Sequence, residues 1–82
     1  MTDRIREIVK QHGSMPSDVD SLPDDADLFL AGMSSHASVN VMLALENAFD
    51  IEFPDEMLTR NTFASIAAIR AALEQLSGEA AA

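Results

Sequence analysis

The strongest constraint on the fold is a long apolar stretch that follows a glycine and a pair of serines. Residues 35–50 contain neither glycine nor proline, and apolar side chains recur through them at helical spacing. Ser34 or Ser35 stands where a hydroxyl caps the free N–H groups of a helix start. We therefore predict a central helix over 35–50, on which the rest of the 82-residue chain packs. Its predicted core face consists of Val39, Met42, Leu45, Ala48 and Phe49, widened by Val41 and Leu43.

Two more helices are predicted, one before and one after this stretch. The first begins near Asp3, with Thr2 or Asp3 as its cap, and ends at Gly13. Its core stripe is Ile5, Ile8, Val9 and His12. The last begins at Asn61 or Thr62 and ends at residues 77–78. Its core stripe is Phe63, Ile66, Ile69, Leu73 and Leu76.

The connections between these helices differ in length. Residues 14–34 form a long first loop, broken by Pro16 and Pro23, with a turn of helix expected around 24–29. We expect four apolar side chains to pin this loop: Leu22, Leu28, Phe29 and Leu30. Residues 55–60 form a short helix with Met57 and Leu58 directed inward.

The predicted fold class is therefore all-α. It is a small four-helix bundle of three main helices and one short helix, with a long first loop and no strand. One domain covers residues 1–78, and residues 79–82 form a frayed tail.

The distribution of charge limits the possible partners. The formal net charge is −9, and residues 12–58 hold ten acids and no Lys or Arg. Nucleic acid is excluded as a partner, because binding it requires basic side chains. The acids either attract a partner with a basic surface or only keep the chain in solution.

Targeting signals and thiol chemistry are also missing from the sequence. There is no cysteine, no apolar run of about 20 residues, and no apolar signal core after Met1. We expect a cytoplasmic protein without a membrane partner.

No catalytic or metal-binding set emerges from the sequence. Ser35 and His36 are adjacent, and neighbours on a helix do not face each other as a nucleophile and base must. His12 is expected to be a boundary residue. The calcium-loop pattern that begins at Asp18 fails, because Pro23 stands where glycine is required and Phe29 where glutamate is required. We predict no catalytic residue, no metal site and no enzymatic activity.

Ser35 remains as the candidate functional residue. It is either an N-cap alone or the bearer of a covalently attached phosphate, which a helix N-terminus tolerates. The surrounding acids would repel a free anion, which favours attachment over a binding pocket.

Several motifs together resemble the acyl carrier protein family over nearly the whole chain. They are Asp27-Leu28-Phe29, Gly32-Met33-Ser34-Ser35, Leu45-Glu46, the segment 49–56 and Thr62-Phe63. The resemblance implies a four-helix bundle whose Ser35 receives 4′-phosphopantetheine from coenzyme A through a phosphopantetheinyl transferase. The arm's thiol then holds an acyl or aminoacyl group as a thioester.

The chain departs from the family pattern beside the serine. Ser34 replaces the usual aspartate and His36 the usual leucine, and several acids expected along the second helix are absent. The string 34–46 is similar to bacterial aminoacyl carrier proteins, which are charged by ligases resembling the catalytic core of seryl-tRNA synthetase. That resemblance implies a small amino acid, such as glycine or alanine, as cargo. A carrier of fatty-acid or polyketide synthesis, loaded by acyl transferases, stays open, as does an unmodified acidic helical adaptor.

The expected partner surface lies on the second helix and the segment after it. It consists of His36, Val39, Asn40, Leu43, Glu52, Asp55 and Glu56. For Val39 and Leu43, a position in the core is an equal alternative. We expect a monomer with a shallow apolar cavity or none, because an aminoacyl group is small and polar.

Overall fold

The computed structural model describes residues 2–14 and 18–77, and this part of the chain contains helices and turns but no strand. The three α-helices are α1 (Thr2–His12), α2 (Ser35–Phe49) and α3 (Ile66–Ser77). Short 3-10 turns cover Val19–Ser21, Asp55–Met57 and Arg60–Phe63. The all-α class and the three main helices are confirmed, and the predicted short helix takes the form of 3-10 turns. Pro16 and the tail 79–82 lie outside the described residues.

The core forms where one stripe from each helix meets the others. α1 contributes Ile5, Ile8 and Val9, and α1 packs closely against both α2 and α3. The helix packed most extensively against the others is thus α1, whereas the sequence had suggested α2. From α3 the core receives Ile66, Ile69, Ala72 and Leu73. Burying each of the large aliphatic side chains contributes about 1.5–3 kcal/mol. His12 is exposed, so its predicted place on the core stripe is wrong.

The buried face of α2 is rotated from the predicted one. Ala37, Val41 and Leu45 are buried at successive four-residue spacing. Val39 and Leu43, for which the core and the partner surface were equal alternatives, are 49% and 53% exposed. The remaining predicted residues do not form the centre of the core: Ala48 is exposed, and Met42 and Phe49 are half-buried. Since α2 is apolar on more than one side, sequence spacing alone did not determine which side packs inward.

The start of α3 also differs from the prediction. The Ser65 hydroxyl accepts a hydrogen bond from the Ala68 N–H at 3.0 Å, so Ser65 is the cap in place of Asn61 or Thr62. Phe63 therefore precedes the helix. It is buried there with its ring edge-to-face against Phe53, at a centroid distance of 5.2 Å.

The long first loop is fixed by buried side chains and by bonds to α1 and α3. Leu28 is fully buried, as predicted, with Val19 and Met33, which sequence analysis did not select. Leu22 and Phe29 are only half-buried, and Leu30 is 83% exposed, so its predicted role as a pin is wrong. Residues 24–29 form turns in place of the predicted helical turn.

Polar contacts complete the attachment of this loop. The Leu28 N–H donates to the Ala64 carbonyl at 2.7 Å, and the Ala67 N–H donates to the Asp24 carbonyl at 2.9 Å. From α1, the Arg6 guanidinium pairs with the Asp24 carboxylate, and the Lys10 ammonium pairs with that of Asp20. The loop that leads to the serine pair is thus tied to two helices.

Candidate functional site at the start of α2

The two serines at the start of α2 have different structural roles. Ser34 is the N-cap, because it is extended and its hydroxyl accepts a hydrogen bond from the Ala37 N–H at 3.0 Å. Ser35 is the first residue of the helix and is exposed. Its hydroxyl forms no hydrogen bond within the part of the chain that the structure describes. A third serine, Ser38, donates its hydroxyl to the Ser35 carbonyl at 2.6 Å. Of these three hydroxyls, only that of Ser35 is without a hydrogen bond among the described residues and so available to react.

The loop before Ser35 is held in a defined conformation. Gly32 has φ 122°, which only glycine adopts without strain. The next residue, Met33, is buried, and its N–H donates to the Leu28 carbonyl at 3.0 Å. Since Met33 and Ala37 are both buried on either side of it, Ser35 is presented to solvent from a fixed support.

An open groove of about 380 Å³ lies beside Ser35. Its lining is mostly apolar and comes from Phe29, Ser35, Ser38, Val39, Met42, Leu58, Thr59, Arg60 and Phe63. The volume is within the roughly 300–1,000 Å³ of small-molecule sites. The groove is open to solvent, as expected of a shallow cavity, although its lining is more apolar than a small polar cargo requires. Leu58 is 45% exposed here, so its predicted inward position is wrong.

The predicted partner residues are all exposed. His36, Val39, Asn40 and Leu43 follow the spacing i, i+3, i+4, i+7 and so share one face of α2. The exposure of Val39 and Leu43 decides against their core alternative. The three acids Glu52, Asp55 and Glu56 are exposed on the segment after α2.

Sequence reasoning missed Phe29, Leu58 and Arg60 as residues of the site. The Arg60 guanidinium lies over the Phe29 ring, 4.3 Å from its centroid, and both side chains line the groove. One signal was available in the sequence, because Arg60 is the first Lys or Arg after Lys10.

Neither a membrane span nor a metal cluster is found in the described residues. No helix among them has the length and apolar character needed to cross a bilayer. Likewise, no group of three or more His, Asp or Glu side chains in residues 2–14 and 18–77 is placed to hold a metal ion.

Comparison with known proteins defines the class. Residues 3–73 match the family described as "Phosphopantetheine attachment site". The chain is 56% identical, over 69 residues, to the aminoacyl carrier protein of Agrobacterium fabrum (strain C58), and the match covers 84% of this chain and 83% of the relative. The chain therefore belongs to the family of carrier proteins with a phosphopantetheine attachment site.

Solved structures agree with this assignment. This chain is similar, with a TM-score of 0.88 and 53% identity, to a chain in a solved complex. That complex contains an engineered Bradyrhizobium japonicum glycine:[carrier protein] ligase, carrier protein from Agrobacterium tumefaciens and AMP. That match covers 90% of this chain and 99% of the other. The solution structure of ATC2521 from A. tumefaciens is 52% identical, with a TM-score of 0.75 and full coverage of both chains. The predicted resemblance to acyl carrier proteins and their fold is confirmed.

The start of α2 fits the prosthetic group of this family, 4′-phosphopantetheine. The Ser35 hydroxyl is exposed and unbonded among the described residues, and the open groove begins beside it. The N–H groups of Ser35 and His36 form no hydrogen bonds within that same part of the chain, so the positive end of the helix dipole is available to a phosphate.

Proposed function

We propose that Ser35 carries the 4′-phosphopantetheine arm, and that the arm holds glycine or another small amino acid as a thioester. The observation that carries the proposal is the division of roles between Ser34, which caps α2, and Ser35, whose exposed hydroxyl has no partner among the described residues. When bound, the group supplies the thiol that this cysteine-free chain lacks.

Attachment requires only an accessible oxygen from this chain. An ester bond forms between the Ser35 Oγ and the phosphorus of 4′-phosphopantetheine, and the pyrophosphate bond of coenzyme A breaks. Adenosine 3′,5′-bisphosphate leaves, and the hydroxyl proton passes to a base of the transferase. The carrier itself contributes no base to this reaction, in keeping with a role as substrate of ligases and transferases and not as an enzyme.

The surface around Ser35 suits large partners that approach the arm. The exposed face of α2 formed by His36, Val39, Asn40 and Leu43 has both apolar and polar side chains, as protein interfaces do. The carboxylates of Glu52, Asp55 and Glu56 would attract basic side chains on a transferase or a seryl-tRNA-synthetase-like ligase. We propose that the chain is one carrier domain over residues 1–78, monomeric alone, and that it works in the cytoplasm.

Intact-mass measurement tests the attachment. After incubation with coenzyme A and a phosphopantetheinyl transferase, the wild-type chain and Ser38→Ala gain the mass of one arm, and Ser35→Ala does not. Ser38→Ala is a matched control, because its hydroxyl is already bonded to the backbone. A wild-type chain that stays at its unmodified mass would support the unmodified acidic adaptor in place of a carrier.

Aminoacylation tests the cargo. The modified chain, incubated with ATP, glycine and a glycine:carrier protein ligase, is expected to form a thioester that hydroxylamine releases. The second candidate, a carrier of fatty-acid or polyketide synthesis, is favoured by one observation, the apolar lining of the groove. Loading by a malonyl or fatty-acyl transferase, without aminoacylation, would overturn the amino-acid proposal.

A further inference from the structure

Arg60 differs from three other basic residues in having no carboxylate partner among the residues that the structure describes. Arg6, Lys10 and Arg70 each pair with a nearby acid. Arg60 forms no ion pair within residues 2–14 and 18–77, and its guanidinium instead covers the Phe29 ring. In a chain of net charge −9, such a cation is a local positive site in a negative surface.

The position of the guanidinium is supported from both sides. Phe29, which serves as its platform, is half-buried, and its N–H donates to the Asp27 carboxylate at 2.9 Å. Arg60 itself opens a 3-10 turn that ends at the buried Phe63. Stacking uses the face of the guanidinium and leaves the N–H donors at its edge available for an anion.

This cation lines the same groove as Ser35. A phosphodiester on Ser35 carries one negative charge, and its oxygens match the forked N–H donors of an arginine. Because the ester is attached to the same chain, the pairing is intramolecular and has a high effective concentration. No other Lys or Arg stands close to it in sequence to compete for the phosphodiester, since residues 12–59 contain neither.

We propose that Arg60 binds the phosphodiester that joins the prosthetic arm to Ser35 and so holds the first part of the arm against the groove. This inference rests on the attachment proposed above.

Nuclear magnetic resonance of the modified chain tests the proposal without an activity assay. We compare the phosphorus signal of modified wild type, Arg60→Gln and Arg4→Gln. Arg4→Gln is the matched control, because Arg4 is exposed on α1, does not line this groove and forms no carboxylate pair in the described part of the chain. In Arg60→Gln the phosphorus signal is expected to shift and narrow, and in Arg4→Gln it stays at the wild-type position. In the wild type, the Nε–H signal of Arg60 shifts when the arm is attached.

Two different failures can be told apart in this experiment. If intact mass shows no arm on any variant, the attachment to Ser35 fails and the inference with it. If all three variants carry the arm but share one phosphorus signal, and the Arg60 signal is unchanged by attachment, the inference alone is overturned. Arg60 would then be left to meet a carboxylate of a partner enzyme.

Discussion

The two connections of the bundle both line the groove and are held in different ways. In the first, over residues 18–34, Val19, Leu28 and Met33 are buried along its length. In the second, over residues 50–65, Phe53 and Phe63 are buried near the two ends, and none of residues 54–62 is buried. The first contributes Phe29 to the groove, and the second contributes Leu58, Thr59 and Arg60.

This difference indicates that one connection holds Ser35 in place and that the other can move. The first connection has bonds to α1 and α3 and delivers Ser35 to a fixed place. The second is fastened where it leaves α2, because the Glu46 carboxylate accepts a hydrogen bond from the Phe53 N–H at 2.9 Å. Segments with few buried apolar contacts open at a low free-energy cost. We therefore expect the wall formed by residues 54–62 to move when the arm or a partner binds.

The largest expected difference is in the free energy of unfolding, when a leucine in the middle of each connection is truncated in turn. Leu28→Ala removes a fully buried side chain and should lower the free energy of unfolding by about 2–5 kcal/mol. Leu58→Ala, at a 45% exposed position, is the matched control and should cost less than about 1 kcal/mol. Urea unfolding measures both. Equal losses would show that the second connection is packed as firmly as the first.

A smaller effect is expected where the second connection is fastened. Glu46→Ala removes the carboxylate acceptor of the Phe53 N–H and should cost about 1.5–3 kcal/mol. It should also speed hydrogen exchange at the Phe53 amide. Glu52→Ala, an exposed acid for which the structure shows no hydrogen bond among the described residues, should change neither quantity. Unchanged exchange at Phe53 in Glu46→Ala would contradict this fastening.

The smallest effect concerns the ion pair between α1 and the first connection. The hydrogen bond to Asp20 and the charge of that carboxylate raise the pKa of Lys10 above 10.5. Because the pKa of Lys10 is higher in the folded chain, the charged lysine stabilises the fold fully at pH values below the pKa of the unfolded lysine. This stabilisation is lost as the pH rises through the pKa of the folded lysine. Wild type should therefore be slightly more stable than Lys10→Gln at neutral pH, and the difference should vanish under strongly alkaline conditions. Thermal unfolding against pH measures it, and a gap that widens toward alkaline pH would contradict the pairing.

The sequence predicted the elements of the fold better than their orientation. The stripe of α1 was found because Ile5, Ile8 and Val9 stand on a helix that is apolar on one side only. α2 has Val39, Val41 and Leu43 within five residues, and only packing decides that Val41 is the buried one. Similarly, the Ser65 cap was missed because Asn61 and Thr62 are equally suitable residue types.

The candidate site was predicted in part. Ser35 was selected because it stands at a helix start in a chain without other chemistry. The groove was not predicted, because its walls come from residues 29, 35–42 and 58–63, which only the fold brings together. The stacking of Arg60 on Phe29 is a tertiary contact of the same kind.

The most direct test of the account is to locate the arm on the chain. Tandem mass spectrometry of the peptide that contains Ser34, Ser35 and Ser38, cut from the modified wild-type chain, identifies the serine that bears the phosphodiester. We predict that all of it is on Ser35, since the other two hydroxyls are bonded to the backbone of α2. An arm found on Ser34 or Ser38 would contradict the assignment of Ser34 as the cap and Ser35 as the attachment site.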